Sequence, residues 1–135
     1  MSLRRDYLLR LVEQMARVLA RVRELLAAGK TSEARGELER AARGAGLDLG
    51  LALTLAPGSL LPMLSTGGEV DRSKCALFAE LLYLEYQRAS ADGQIEQAAR
   101  TRDRALMLFE LAYAGQPIDD EVAGKMEELG GGARG

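Results

Sequence analysis

From Leu8 to Leu26 the apolar residues Leu8, Leu11, Val12, Met15, Val18, Leu19, Val22, Leu25 and Leu26 recur at steps of three and four. Arg10, Glu13, Gln14, Arg17, Arg21, Arg23 and Glu24 fill the positions between them. That period puts the apolar set on one stripe of an α-helix and the charges on the other. Gly29 ends the helix, because glycine takes the left-handed backbone of a C-cap without strain. Thr31 or Ser32 is then placed to cap a second helix, Ser32–Ala45, with Ala34, Leu38, Ala41 and Ala42 inward.

The pattern loosens in "GAGLDLGLALTLAPGSLLPML" (Gly44–Leu64). Pro57 suits a first helical turn and predicts a short helix from there to Leu64, which Pro62 limits. "STGGE" (Ser65–Glu69) reads as a loop, and Asp71 as the cap of a strong helix over Arg72–Ala91. Its inner face draws on Cys75, Phe78, Ala79, Leu82, Tyr83 and Tyr86. Gly93 breaks it, and a further helix covers Ile95–Ala114 with Ala98, Ala105, Leu108, Leu111 and Ala112 apolar. Gly115 and Pro117 stop that one; "DDEVAGKMEEL" makes a short final helix. The expectation is an all-α chain of five or six helices, one domain over 1–129, with 130–135 ("GGGARG" from Gly130) a disordered tail.

Sliding the chain from Gly29 to Gly93, an offset of 93 − 29 = 64, also carries Ala34 onto Ala98, Arg40 onto Arg104 and Ala41 onto Ala105. Each copy is a long helix, a glycine, and a helix with small inner residues. This resembles the tetratricopeptide (TPR) hairpin, which places Gly in the bend and Ala at the same two later positions. The offset differs from the 34-residue TPR period, so an extra segment (46–70) separates the copies. Val22 and Tyr86 stand where TPR hairpins carry a small residue, and no Pro closes the second helix near Glu110. The stretches "RDYLLRLVEQMARVLARV", "LDLGLALTLAPGSLLPML" and "FAELLYLEYQRASADGQIEQA" are also similar to an uncharacterised bacterial family of TPR-like helical proteins, a domain of unknown function. The resemblance implies hairpins packed as a right-handed superhelix or closed bundle, and no activity.

It also implies where a partner would lie, since TPR peptides rest against the first helix of each hairpin. Those positions are Ala16, Leu19, Arg23 and Leu26 in the first copy, and Glu80, Tyr83, Gln87 and Ser90 in the second. The second set is polar with one aromatic, which suits a recognition surface. The first exposes Leu19 and Leu26, each worth about 1.5–3 kcal/mol when buried. One expectation is that Leu47–Leu64 folds back over that groove; an open peptide groove and filling by a second subunit are the alternatives.

Composition narrows the function. Leu and Ala dominate, Ile occurs only at Ile95 and Ile118, and β-branched residues are too few to stock a sheet. Net charge is −2 and the sequence pI about 5.3, so no global field draws nucleic acid. The charge is uneven: residues 1–28 hold six Arg against Asp6, Glu13 and Glu24, while 110–135 hold six acids against Lys125 and Arg134. With no His in the chain, a Ser–His–Asp triad, a Cys–His nucleophile and a His-ligated metal are excluded. Glu80 and Glu85 diverge around their helix, and Asp119, Asp120 and Glu121 read as acids favoured at a helix N-terminus. No catalytic residue, metal site, cofactor or membrane span is expected. The single cysteine, Cys75, reads as a core thiol and fits a reducing cytoplasm.

Arg10, Arg17 and Arg21 share one stripe of the first helix. They are either a docking strip for an acidic partner or phosphate backbone, or a solvated face with local pairs such as Asp6–Arg10 and Glu13–Arg17. Pairing with the acidic C-terminus in a homodimer is a third option. "ARTRDR" (Ala99–Arg104) scatters its arginines around the helix, which argues against nucleic acid. The expected function is a non-enzymatic interaction or scaffold module for an unknown protein partner, self-associating or not. Its recognition surface would be Glu80, Tyr83 and Gln87, with Arg10, Arg17 and Arg21 secondary. The alternative is a regulator touching nucleic acid through those arginines.

Overall fold

Gly29 and Gly93 adopt φ of +75° and +74°, and each closes a helix in the same way. At the first, the Gly29 amide donates to the Leu26 carbonyl and the Lys30 amide to that of Leu25. At the second, Gly93 donates to Ser90 and Gln94 to Ala89. This paired pattern satisfies two orphan carbonyls and turns the chain back on itself. The computed structural model describes residues 3–131. The tail from residue 132 onward, and the side chain of Asp6 with its expected Arg10 pairing, lie outside the described residues.

Two helical hairpins result: α1 (Leu3–Ala27) with α2 (Thr31–Gly44), and α4 (Arg72–Ala91) with α5 (Ile95–Ala112). The class is all-α, as the periodicity predicts. Ala34, Leu38 and Ala42 of α2 are buried, and so are Ala98, Ala105, Leu108, Phe109 and Ala112 of α5. Small side chains at these inner positions let the helices approach closely. The hairpins meet through α4, which packs on α5, α2 and α1 and buries Cys75, Phe78, Leu81, Leu82 and Leu84. Cys75 is therefore a core thiol, and burial pushes its pKa up.

The cap of α2 differs from the sequence reading. Lys30 occupies the N-cap of α2 and supplies no side-chain bond, as does Gln94 for α5. Thr31 lies one residue inside its helix, and its hydroxyl donates to Asp92 Oδ1 across the two bends at 3.1 Å. Asp71 does cap α4, accepting from the Ser73 and Lys74 amides.

The segment between the hairpins holds more structure than its glycines suggest. Asp48 accepts the Leu51 amide and starts a six-residue helix, α3 (Leu49–Thr54). A 3₁₀-helix over Pro57–Leu64 follows, with Pro62 inside it. The "STGGE" loop is a minimal β-hairpin: β1 (Ser65–Thr66) pairs with β2 (Glu69–Val70) antiparallel. Gly67 and Gly68, both with positive φ, form its two-residue turn. After α5 the chain turns at Gly115, and α6 (Asp120–Met126) passes into one wider π turn, Glu127–Gly131.

The leucine-rich excursion does not cover α1, which corrects that expectation. It packs on α2, α4 and α5, burying Leu49, Leu53, Leu60 and Leu64. One guanidinium anchors it there. Arg104 of α5, 6% exposed, donates through Nε to the Ala52 and Leu55 carbonyls, through Nη2 again to Leu55, and through Nη1 to Arg100. The Ala52 and Leu55 carbonyls end α3, where a cation is favoured. Burial, and then the neighbouring Arg100 charge, lower the Arg104 pKa against the opposing pull of Asp103. The twin position, Arg40, is exposed and pairs with Glu37, so the two hairpins diverge at the point where the excursion is held.

Candidate functional site

Glu80, Tyr83 and Gln87 lie at successive three- and four-residue steps on α4 and share one face, as their spacing requires. The structure brings them together under the C-terminal segment rather than leaving them open. Lys125 of α6, 6% exposed, donates to Glu80 Oε1 at 2.7 Å and stands 3.4 Å from Glu121. Its ammonium also sits 5.6 Å from the centroid of the Tyr83 ring, within cation–π range. The Tyr83 hydroxyl donates to Glu128 Oε1 at 2.6 Å, and the Gln87 amide donates to the Tyr83 oxygen at 2.8 Å. Val122 and Leu129 are buried beside these contacts. Tyr83 is 4% exposed, so the face predicted for a partner is engaged in cis. Ser90, the last of that set, remains exposed.

Seating of α6 depends on local chemistry at its start. The Asp119 carboxylate accepts the Val122 amide at 2.8 Å, and Asp120 and Glu121 add negative charge at the positive end of the helix. Between α1, α4 and α6 a cleft of about 300 Å³ remains. Met15, Ala16 and Leu19 form one wall, Ala76, Leu77 and Glu80 the second, and Tyr113, Asp119, Val122 and Lys125 the third. The half-buried Leu19 lines this cleft opposite the C-terminal segment.

Burial, and then the Glu128 carboxylate on its hydroxyl, push the Tyr83 phenol well above its ordinary value of 10.0. The unfolded chain releases this proton near pH 10 while the folded chain keeps it, so stability must fall as pH rises past about 10. Burial raises Tyr113 as well, which adds to the same slope. Tyr83→Phe should cost about 0.5–1.5 kcal/mol at neutral pH, because Glu128 can turn to water. It should also flatten the alkaline decline. Denaturant midpoints measured between about pH 9 and 11 test both effects.

The arginine stripe behaves differently. Arg10, Arg17 and Arg21 are all exposed. Arg21 reaches Glu37 of α2 at 3.7 Å, while the expected Glu13–Arg17 pair is not among the ion pairs of the described residues. The arginines of "ARTRDR" scatter as the sequence reading holds, Arg100 being exposed, Arg102 beside Asp103 and Arg104 buried.

A polar cluster that the sequence did not reveal lies deeper. Glu85, fully buried, accepts from Arg88 Nε and Nη2 at 2.8 Å each, from Arg35 Nη1 at 2.9 Å and from Gln97 at 2.6 Å. Arg88 continues to Gln94 at 2.7 Å and to Asp92, which holds Thr31. The Glu85 carboxylate keeps the Arg88 pKa above its usual value against the opposing effect of burial. Both carboxylate oxygens of Glu85 accept from donors of this chain, which makes it a tie between hairpins rather than a reactive acid.

Among the described residues no helix is long and apolar enough to cross a membrane, and no three potential metal ligands are gathered. No family model matches the chain, and neither a curated protein nor a solved structure matches it.

Proposed function

We propose that this protein is a non-enzymatic protein-interaction or scaffold module of the TPR-like kind, working in the cytoplasm. The observation that carries the reading is the α4 face of Glu80, Tyr83 and Gln87. It already recognises a helical segment through an ion pair, a phenol–carboxylate bond and a cation–π contact. A surface built to read charge and shape on a helix is the working part of an interaction protein. Affinity purification of the tagged chain from its native host, with mass spectrometry, tests this. A discrete stoichiometric partner is expected, and Glu80→Lys should remove it. A partner set unchanged by Glu80→Lys and by Arg17→Glu with Arg21→Glu would sink the reading.

The second reading, a regulator contacting nucleic acid, has the exposure of Arg10, Arg17 and Arg21 in its favour. Glu13, Glu24 and Glu37 lie on or beside the same helix, and they dilute the field that phosphate binding requires. Salt-dependent retention on mixed DNA or RNA, abolished by the double arginine reversal, would favour it over the first.

A further inference from the structure

The C-terminal segment is bound to the rest of the chain as a ligand would be. It enters through an exposed connection, 114–119, that contains the positive-φ Gly115 and Pro117. Its helix has seven residues with Gly124 in the middle, too short and too glycine-rich to form alone. What holds it is side-chain recognition: Val122 and Leu129 packed, Lys125 on Glu80 and the Tyr83 ring, Glu128 on Tyr83. Gly130 brings its end against α5, where an added Cβ would stand 2.7 Å from Leu106 Cδ2. Elements with few buried apolar side chains and an exposed attachment open first.

We propose that the groove along α4 and α5 is the docking site for an external amphipathic helix, and that the chain's own C-terminal segment is its displaceable occupant. The contacts define the visitor: an apolar residue, Lys three positions on, a second apolar residue next to it, an acid three positions after the Lys, and a final apolar residue beside that acid. Val122, Lys125, Met126, Glu128 and Leu129 spell that pattern here. The complementarity runs both ways, since the groove offers a carboxylate to the Lys, and to the acid a phenol and the Gln87 amide, the latter at 3.4 Å. This inference rests on the interaction-module reading.

The test uses a labelled peptide of residues 118–131 and needs no cellular partner, so its failure would leave the module reading standing. A chain ending at Gln116 should bind the peptide in the micromolar range, at least about tenfold more tightly than the intact chain, whose groove is occupied. Glu80→Lys in the shortened chain should weaken binding at least about tenfold, and a peptide carrying Lys125→Glu should restore it. A shortened chain that keeps its helical signal and cooperative unfolding yet ignores the peptide would overturn the proposal. So would equal binding by the intact and shortened chains. An intact chain that dimerises only while residues 117–135 are present would overturn it too, because the occupant would then be a second copy. Hydrogen exchange on the intact protein decides the matter even if the shortened chain fails to fold. The amides of Ala123–Met126 should exchange at least about tenfold faster than those of Leu81–Glu85; exchange at one common rate would show the segment to be core.

Discussion

Replacing Glu85 with alanine should destabilise the folded chain by about 3–5 kcal/mol, the cost of leaving buried charge uncompensated. Arg88 is 4% exposed and directs two of its nitrogens at the Glu85 carboxylate, while Arg35 and Gln97 converge on the same group from α2 and α5. Without the carboxylate, two guanidinium groups face one another across a polar void. Glu85→Gln should be milder, since it keeps the shape and one acceptor while losing the charge-assisted part of each bond. Urea unfolding followed by circular dichroism measures both, and Arg88→Met combined with Glu85→Leu provides the decisive comparison. Replacing the pair by apolar side chains should recover much of the loss, because most of it comes from the orphaned partner and not from the net worth of the ion pair. A single substitution within about 0.5 kcal/mol of wild type would mean that water reaches the cluster.

Arg104→Ala should cost about 2–4 kcal/mol, from carbonyls left without donors and from the cavity where the side chain lay. The Ala52 and Leu55 carbonyls end α3, and Arg104 supplies their side-chain donors. The loss should be local before it is global. Amides of Leu49–Leu64 should gain exchange through partial opening, while those of α1 and α2 retain the protection set by global stability. Arg104→Lys should recover only part, since a single ammonium cannot reproduce a planar fork that spans two carbonyls. Uniform loss of protection across all helices would show that the excursion and the hairpins unfold as one unit.

The bends and the long helices were legible because their signals are local. Gly29 and Gly93 report a backbone requirement, and the three- and four-residue period of α1 reports a buried stripe. Helix α3 was not, because Gly46 and Gly50 dilute its propensity; Asp48, whose carboxylate takes the Leu51 amide, was the available signal. The Glu85 cluster and the Arg104 anchor were hidden for a different reason. Glu85 meets Arg35 across 50 residues, and Arg104 meets Ala52 across 52, so no spacing along the chain announces them. The candidate face occupies an intermediate place. Glu80, Tyr83 and Gln87 could be read as one surface from their period, yet Lys125 and Glu128 arrive 45 residues later. The acidic bias of the C-terminus gave no hint that its lysine, not its acids, would find Glu80.

The Gly67–Gly68 turn divides the chain into two stretches of similar length, each holding one helical hairpin. Both glycines are exposed, and a Cβ added at either would meet nothing within 4 Å. Beyond the short β ladder at the turn itself, the bonds joining the halves lie elsewhere: Arg35 to Glu85, Thr31 to Asp92, Arg104 to Ala52 and Leu55. The long-range cohesion of the halves is therefore carried away from the turn that joins them covalently. The turn is a seam at which the protein could be lengthened, or could accept an inserted sequence, while the interlock between its halves is left intact.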